Sequence, residues 1–144
     1  MAETLSIMLA DWQDIREEAA AIRFAVFVEE QGVPAELELD EHDVQCLHAL
    51  ARDPSGRAVA TGRLLPDGHI GRMAVLREAR ARGAGSLVLR TLMAAARTRG
   101  HAEIVLSAQT HATGFYARHG YQSEGEVYDD CGIPHVDMRR PGAG

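Results

Sequence analysis

The sequence predicts a single mixed α/β (α+β) domain over residues 1–144, with about six to seven strands and about four helices. Three observations lead to this fold class. An apolar content of 46% in 144 residues suffices for one core. Short apolar segments separated by turn residues predict an antiparallel meander in the middle of the chain. A strand, a Gly- and Arg-containing turn, a helix and another apolar run then predict a βαβ unit.

The N-terminal part is predicted to be a strand followed by an amphipathic helix. Residues 4–9 are mostly apolar and suit a short strand. Asp11 can cap a helix whose apolar residues recur every three or four positions. This helix is expected to end near Gly32 and Pro34, because proline disfavours a helical conformation in the residue before it. An irregular acidic segment then continues to Asp43.

The rest of the chain is predicted to complete the sheet. Strands of the meander cover residues 45–51, 58–65 and 69–76, and the helix after the Arg/Gly loop ends at Gly100. Residues 104–106 are continuously apolar, as expected for a strand paired in parallel after a helical crossover. The segments that follow are a short helix over 110–119 and a final pair of strands between 121 and 138.

Composition excludes several classes of function. All fifteen basic residues are arginine, so neither a Schiff-base lysine nor a phosphate-loop lysine exists. The net charge of −6 argues against nonspecific nucleic-acid binding, which needs a broad basic surface. No apolar run approaches the roughly 18 residues of a membrane span and no signal pattern is found, so we expect a cytoplasmic protein without a membrane partner. Cys46 and Cys131 are expected to be reduced.

The turn before the second helix has the composition of an anion site. Residues 80–86 read Arg-Ala-Arg-Gly-Ala-Gly-Ser. A helix start has about four backbone N–H groups without intrahelical partners and a partial positive charge, so it binds phosphate groups. Gly83 and Gly85 allow a ligand to approach the backbone. Val88 stands where a dinucleotide-binding fingerprint needs glycine, which disfavours that alternative.

Two motifs in this order resemble one protein family. The loop fits the pattern [R/Q]-x-x-G-x-[G/A], and residues 114–121 resemble the later F-Y-x-x-x-G-[FY] element of the GNAT acyltransferase superfamily. Residues 26–31, 61–63 and 70–75 further resemble a branch of small bacterial members grouped as ElaA-like. The resemblance implies a GNAT-like splayed sheet, in which acetyl-coenzyme A or a related thioester enters between the fourth and fifth strands.

The resemblance also assigns residues to the coenzyme. The residues implied to hold the pyrophosphate are Arg80, Ala81, Arg82, Gly83, Ala84, Gly85 and Ser86. Those implied to hold the pantetheine through their backbone are Met73, Ala74 and Val75, and a backbone N–H near Val75 is the implied oxyanion donor. Gln109 stands where many members have an asparagine that contacts the coenzyme. No metal is implied.

Direct transfer of an acetyl or other short acyl group to a primary amine is the implied reaction. Tyr116 matches the family tyrosine that protonates the leaving thiolate; a role as a core aromatic beside Phe115 is the alternative. His69 stands where some members carry a carboxylate base, and histidine suits proton transfer near neutral pH; an exposed turn position is the alternative. Glu29 or Glu30 could relay a proton through water.

The acceptor is indicated only by charge. Seven acidic residues and no arginine lie between positions 29 and 43, where family members form the acceptor pocket. A carboxylate wall would attract a cationic amine such as a polyamine, an amino sugar or a lysine-bearing peptide; a solvated acidic loop is the alternative. The sequence is compatible with either a monomer or a homodimer. The competing class of function is a noncatalytic acyl-coenzyme A sensor or partner-binding module.

A metal cluster is a weaker alternative. His42, Cys46 and His48 lie close in sequence, but they lack the spacings typical of zinc ligands, so we expect no metal site. We expect His48 to be a strand residue hydrogen-bonded to Asp40 or Asp43.

Overall fold

The computed structural model describes residues 4–38 and 40–141. Its helices and strands, in chain order, are β1 (Ser6–Asp11), α1 (Trp12–Arg23), a π-helical segment (Phe24–Glu30), α2 (Ala35–Glu38), β2 (Leu47–Arg52), β3 (Ala58–Leu64), β4 (His69–Val75), α3 (Ala84–Thr98), β5 (Glu103–Gln109), α4 (Thr113–Ala117), β6 (Gln122–Asp130) and β7 (Ile133–Pro141). Short 3₁₀ turns precede β2, α3 and α4.

All seven strands belong to one mixed sheet, in the order β1-β2-β3-β4-β5-β7-β6. Neighbours from β1 to β4 are antiparallel, β4 and β5 are parallel, and β7 is antiparallel to both β5 and β6. The antiparallel meander followed by a βαβ unit confirms the predicted fold class.

Two apolar clusters cover the two faces of the sheet. One cluster contains Val88 and Leu92 of α3, and the other contains Trp12 of α1. Successive residues of a strand point to opposite faces, so β2 contributes Ala49 to the α3 cluster and Leu50 to the α1 cluster. The sheet is therefore sandwiched between α1 and α3.

The first helix differs from the prediction in its hydrogen bonding. It continues beyond Arg23 as the π-helical segment, which keeps Val26 buried and ends before Gly32, whose φ is +75°. The helical stretch therefore ends near Gly32, as predicted. The acidic segment that follows was expected to be irregular, but it contains α2, because Glu38 at its end is buried against the Arg23 guanidinium.

The sheet splays between β4 and β5. These strands pair at only two positions, His69 with Val105 and Ile70 with Leu106. Beyond Ile70, β4 bulges at Arg72, where φ is +50°, and follows β3, while β5 continues along β7. A cleft therefore opens toward the carboxyl ends of β4 and β5, as the resemblance implied.

Cys46 is buried and Cys131 is exposed, and both are free thiols. Within the described ranges, no helix combines the length and apolar character that a membrane crossing requires.

Candidate functional site

The cleft brings three separate segments of the chain together at Gly85. A Cβ atom added to this residue would lie 3.5 Å from the Val75 side chain and 3.6 Å from Phe115. Val75 ends β4, Gly85 lies in the first turn of α3, and Phe115 lies in α4. The loop predicted to hold pyrophosphate, the strand end predicted to hold pantetheine and the aromatic motif thus meet at one point.

A sharp turn directs the loop into the N-terminus of α3. Ala81 and Gly83 have positive φ values of 65° and 85°. Gly83 is the N-cap residue, and glycine adopts this positive φ without the strain that a side chain would add. Ala84 begins the helix and is buried, whereas Arg82 is exposed. The first N–H groups of α3 therefore start directly beside the cleft.

At the strand end beside the loop, successive side chains point alternately into the two apolar clusters. Met73 and Val75 pack against the α3 cluster, and Ala74 is buried in the α1 cluster. Because β4 and β5 are not paired here, the backbone of this strand end has no sheet partner on the β5 side. It can therefore hydrogen-bond a ligand in the cleft.

Glu30 holds Arg80 at the mouth of the cleft. The two terminal nitrogens of Arg80 donate to the Glu30 carboxylate at 3.0 and 2.7 Å, and its Nε donates to the Val75 carbonyl at 3.1 Å. Arg77 reaches the same carboxylate at 3.4 Å. The hydrogen bond from Arg80 is the main reason that the pKa of Glu30 is lowered. An incoming diphosphate would meet guanidinium groups already bonded to a carboxylate.

Ser86 and Gln109 also have protein partners. The Ser86 hydroxyl lies 3.1 Å from Nε2 of His119, which joins the first turn of α3 to the segment after α4. The Gln109 side-chain amide makes two reciprocal hydrogen bonds with that of Gln31, at 3.0 and 2.8 Å. This amide pair links the end of β5 to the end of the π-helical segment. Gln31 lies in the 26–31 segment that resembles the ElaA-like branch, but its pairing with Gln109, 78 residues away, was not predicted.

Tyr116 lies among aromatic rings beside the cleft. Its ring is edge-on to Phe115 at 5.1 Å and to Tyr121 at 6.0 Å between centroids. Burial raises the pKa of Tyr116 to about 12, so its hydroxyl carries a proton at neutral pH. A protonated phenol can donate its proton to a leaving group. The ring also packs beside Phe115, as expected if Tyr116 is a core aromatic residue.

The residues predicted for proton abstraction are not all brought to the cleft. His69 is the first residue of β4, its ring nitrogen lies 3.0 Å from Asp67, and half of its side chain is exposed. Val75 is six residues further along the strand, which corresponds to roughly 15–20 Å. His69 thus occupies the exposed turn position, at the end of β4 opposite to Val75. Glu29 is exposed on the π-helical segment, next to Glu30.

Arginines from other elements neutralise much of the acidic segment. The ion pairs are Arg23 with Glu38 and Asp43, at 2.6 and 2.8 Å, Arg63 with Asp40 and Asp43, both at 2.8 Å, and Arg72 with Asp40 at 3.2 Å. With Glu30, four of the seven acidic residues are thus paired, and the other three, Glu29, Glu36 and Glu41, are exposed. Fewer carboxylates are therefore free to attract a cationic acceptor than the sequence indicated.

His48 packs at the base of this charge network. Its Nε2 lies 2.8 Å from the Asp43 backbone carbonyl, and its ring lies 4.9 Å from that of Trp12. Burial is the main reason that its pKa is lowered. The predicted bond to Asp43 is confirmed, with the backbone carbonyl as the acceptor. Residues 4–38 and 40–141 bring together no group of three His, Cys, Asp or Glu side chains suited to a metal ion.

The chain is similar over nearly its whole length to known proteins. The sequence model of a family described as an acetyltransferase (GNAT) domain matches residues 12–141. A Bacillus subtilis (strain 168) protein named uncharacterized N-acetyltransferase YjcF is 36% identical over 141 residues, which is 94% of this chain and 99% of the relative. An acyl-CoA N-acyltransferase structure from Pseudomonas aeruginosa has a TM-score of 0.84 and 31% identity, covering 95% of this chain and 99% of the other. Escherichia coli ElaA has the same TM-score and coverage at 25% identity.

Proposed function

The chain belongs to the GNAT acetyltransferase family, and on this premise we propose that it transfers an acetyl or other short acyl group from coenzyme A to a primary amine of a small molecule or peptide. The observation that carries the proposal is the meeting of the loop, the β4 end and the aromatic motif at Gly85. We further propose a cytoplasmic location and a cationic acceptor, drawn toward the exposed Glu29, Glu36 and Glu41.

The coenzyme would lie along the cleft from the start of α3 to the end of β4. The first N–H groups of α3 bind the diphosphate, and Arg80 exchanges the Glu30 carboxylate for its oxygens. The backbone of the β4 end, which has no strand partner on the β5 side, hydrogen-bonds the pantetheine amides. Gln109 contacts the coenzyme after its amide is released from Gln31.

The reaction would be direct transfer within a ternary complex. The neutral amine attacks the thioester carbonyl, a C–N bond forms, and the C–S bond breaks. A backbone N–H near Val75 stabilises the oxyanion. Tyr116 gives its proton to the departing thiolate and regains one from solvent. Glu29 relays the proton of the amine to water, and His69, at the opposite end of β4, takes no part.

The first experiment is a calorimetric titration with acetyl-coenzyme A. We expect roughly micromolar binding to the unaltered chain and loss of binding in Gly83→Val, whose side chain obstructs the backbone of the loop. Gly56→Val is the matched control, because Gly56 also has a positive φ, of 90° against 85°, and open space around it, but lies in the β2–β3 turn. Absence of binding by the unaltered chain would contradict the proposal.

A noncatalytic acyl-coenzyme A sensor is the second candidate. It is favoured by the position of His69, which leaves the cleft without the predicted histidine base. The two functions differ in the release of free thiol from acetyl-coenzyme A. Thiol release that depends on added polyamine, amino sugar or lysine-bearing peptide supports the enzyme, whereas tight binding without release across these amines supports the sensor.

A further inference from the structure

A second concave surface lies along α3, beyond the first helical turn that borders the β4–β5 cleft. It encloses about 450 Å³ and is lined by four arginines, Arg90, Arg97, Arg118 and Arg140, together with His119. Three parts of the fold contribute to it. Arg90 and Arg97 lie two turns apart on α3, Arg118 and His119 follow α4, and Arg140 lies near the end of β7. We call this surface the arginine pocket.

The positive charge of the arginine pocket is not neutralised by nearby carboxylates. In the part of the chain that the structure describes, none of its four arginines forms an ion pair. Elsewhere Arg52, Arg57 and Arg63 all pair with carboxylates. A chain with a net charge of −6 thus concentrates unpaired guanidinium groups in one cavity. Their mutual repulsion is unfavourable unless an anion binds.

Two features fix part of the arginine pocket in place. Nη1 of Arg140 donates a 2.7 Å hydrogen bond to the His119 carbonyl. Gly120 has a φ of +90°, and a Cβ there would lie 3.3 Å from the same nitrogen, so glycine permits the close approach of Arg140. Burial is the main reason that the pKa of His119 is lowered, and the charges of Arg90, Arg118 and Arg140 lower it further.

We propose that the arginine pocket binds a phosphate monoester, at a site separate from the diphosphate position at the start of α3. Several guanidinium groups can surround the terminal oxygens of a phosphate dianion, and each can donate two parallel hydrogen bonds. The volume of about 450 Å³ is in the range of small-molecule sites, so it accommodates the organic group attached to the phosphate.

The phosphate monoester has two sources. Ser86, Arg90 and Arg97 follow one face of α3, and Ser86 contacts His119, so the pocket continues from the proposed coenzyme site. Arg90 is about 6 Å along the helix from Ser86, within reach of the ribose phosphate of bound coenzyme A. This source rests on the proposed function. A free phosphorylated metabolite is the other source and does not depend on acyl transfer.

The test compares three probes by calorimetry: coenzyme A, 3′-dephospho-coenzyme A and phenyl phosphate. The variant Arg97→Gln/Arg118→Gln removes two exposed charges from the arginine pocket. The matched control, Arg16→Gln/Arg99→Gln, removes two exposed charges from α1 and from the end of α3. Thermal unfolding of each variant checks that it is folded.

If the ribose phosphate binds, coenzyme A binds at least about tenfold more tightly than its dephospho form, and this ratio falls to about one in the pocket variant only. If a free monoester binds, phenyl phosphate saturates the native chain and the control but not the pocket variant. Binding of phenyl phosphate without any binding of coenzyme A supports the pocket and contradicts the proposed function. Equal affinities for both coenzymes together with no binding of phenyl phosphate would overturn the proposal.

Discussion

Glu30 connects the π-helical segment to the loop that begins α3. It bonds both Arg77 and Arg80, and its lowered pKa keeps it ionised at neutral pH. Ion pairs at exposed positions contribute about 0.2–1 kcal/mol, so a diphosphate can displace this carboxylate at small cost. The same residue therefore holds Arg80 in position and competes with the ligand that Arg80 is proposed to bind.

We predict that Glu30→Gln increases the affinity for acetyl-coenzyme A by about two- to fivefold, because the variant removes the competing charge. A calorimetric titration measures the change. Glu36→Gln, at an exposed position on α2, serves as the control and should leave the affinity unaltered. Weaker binding by Glu30→Gln would mean that the carboxylate mainly positions the guanidinium groups.

Tyr116→Phe should lower kcat by about 10- to 100-fold and leave the affinity for coenzyme A unchanged, because the ring still packs but the proton donor is lost. With the pKa of Tyr116 raised to about 12, the native rate should not decline between pH 8 and about pH 10 through this group. Tyr121→Phe is the control, since it removes a buried hydroxyl that has no hydrogen-bond partner among the residues the structure describes. An unchanged rate in Tyr116→Phe would assign this residue to packing.

At the scale of the elements, the apolar pattern of the sequence predicted the strands and helices, but it did not predict which side chains pair across them. The positions of β2, β3, β4 and α3 follow from turn residues and periodicity in the sequence. The π-helical segment could not be predicted, because α- and π-helical bonding suit the same apolar stretch. The pairs Gln31–Gln109 and Glu30–Arg80 join residues 78 and 50 positions apart, and a single sequence carries no signal for such contacts.

The close packing of α3 on β3 depends on Gly62. A Cβ there would lie 2.9 Å from Val88, 3.0 Å from Leu92 and 3.1 Å from Met73. We predict that Gly62→Ala lowers the free energy of unfolding by about 1–3 kcal/mol, measured by urea denaturation. Gly71→Ala is the control, because in the described part of the chain no atom other than those of Gly71 and its two chain neighbours lies within 4 Å of its added Cβ. Wild-type stability in Gly62→Ala would show that α3 moves away without cost.

At the scale of the whole molecule, buried ion pairs connect parts of the chain that are distant in the sequence. Arg23 ends α1, Asp43 precedes β2, and Arg63 belongs to β3; all three are almost completely buried. Burial would raise the pKa of Asp43, but the hydrogen bonds and charges of Arg23 and Arg63 outweigh it, so the pKa is lowered. The same balance lowers the pKa of Asp40 through Arg63 and Arg72.

This network predicts acid sensitivity. Because the folded-state pKa values of Asp40 and Asp43 are lowered, their contribution is complete above the unfolded-state value of about 4 and is lost as the pH falls below it. We expect the free energy of unfolding to decrease steadily below about pH 4, measured by urea titrations at several pH values.

Asp43→Asn should be less stable than the native chain at pH 7 and should lose part of this acid dependence, because one of the two linked carboxylates is gone. Glu41→Gln, at an exposed position, should change neither property by more than about 0.5 kcal/mol. Native stability that stays constant from pH 5 to pH 2 would contradict the role assigned to the network.

The cations of the cleft mouth and of the arginine pocket are all arginine, as are the fifteen basic residues of the whole chain. A guanidinium group remains protonated at physiological pH and is not a nucleophile toward thioesters. The chain therefore offers no side-chain amine that its own proposed cosubstrate could acylate. Long exposure to high acyl-coenzyme A concentrations should leave the charge of both proposed anion-binding surfaces intact, and with it the affinity for phosphate that we propose for them.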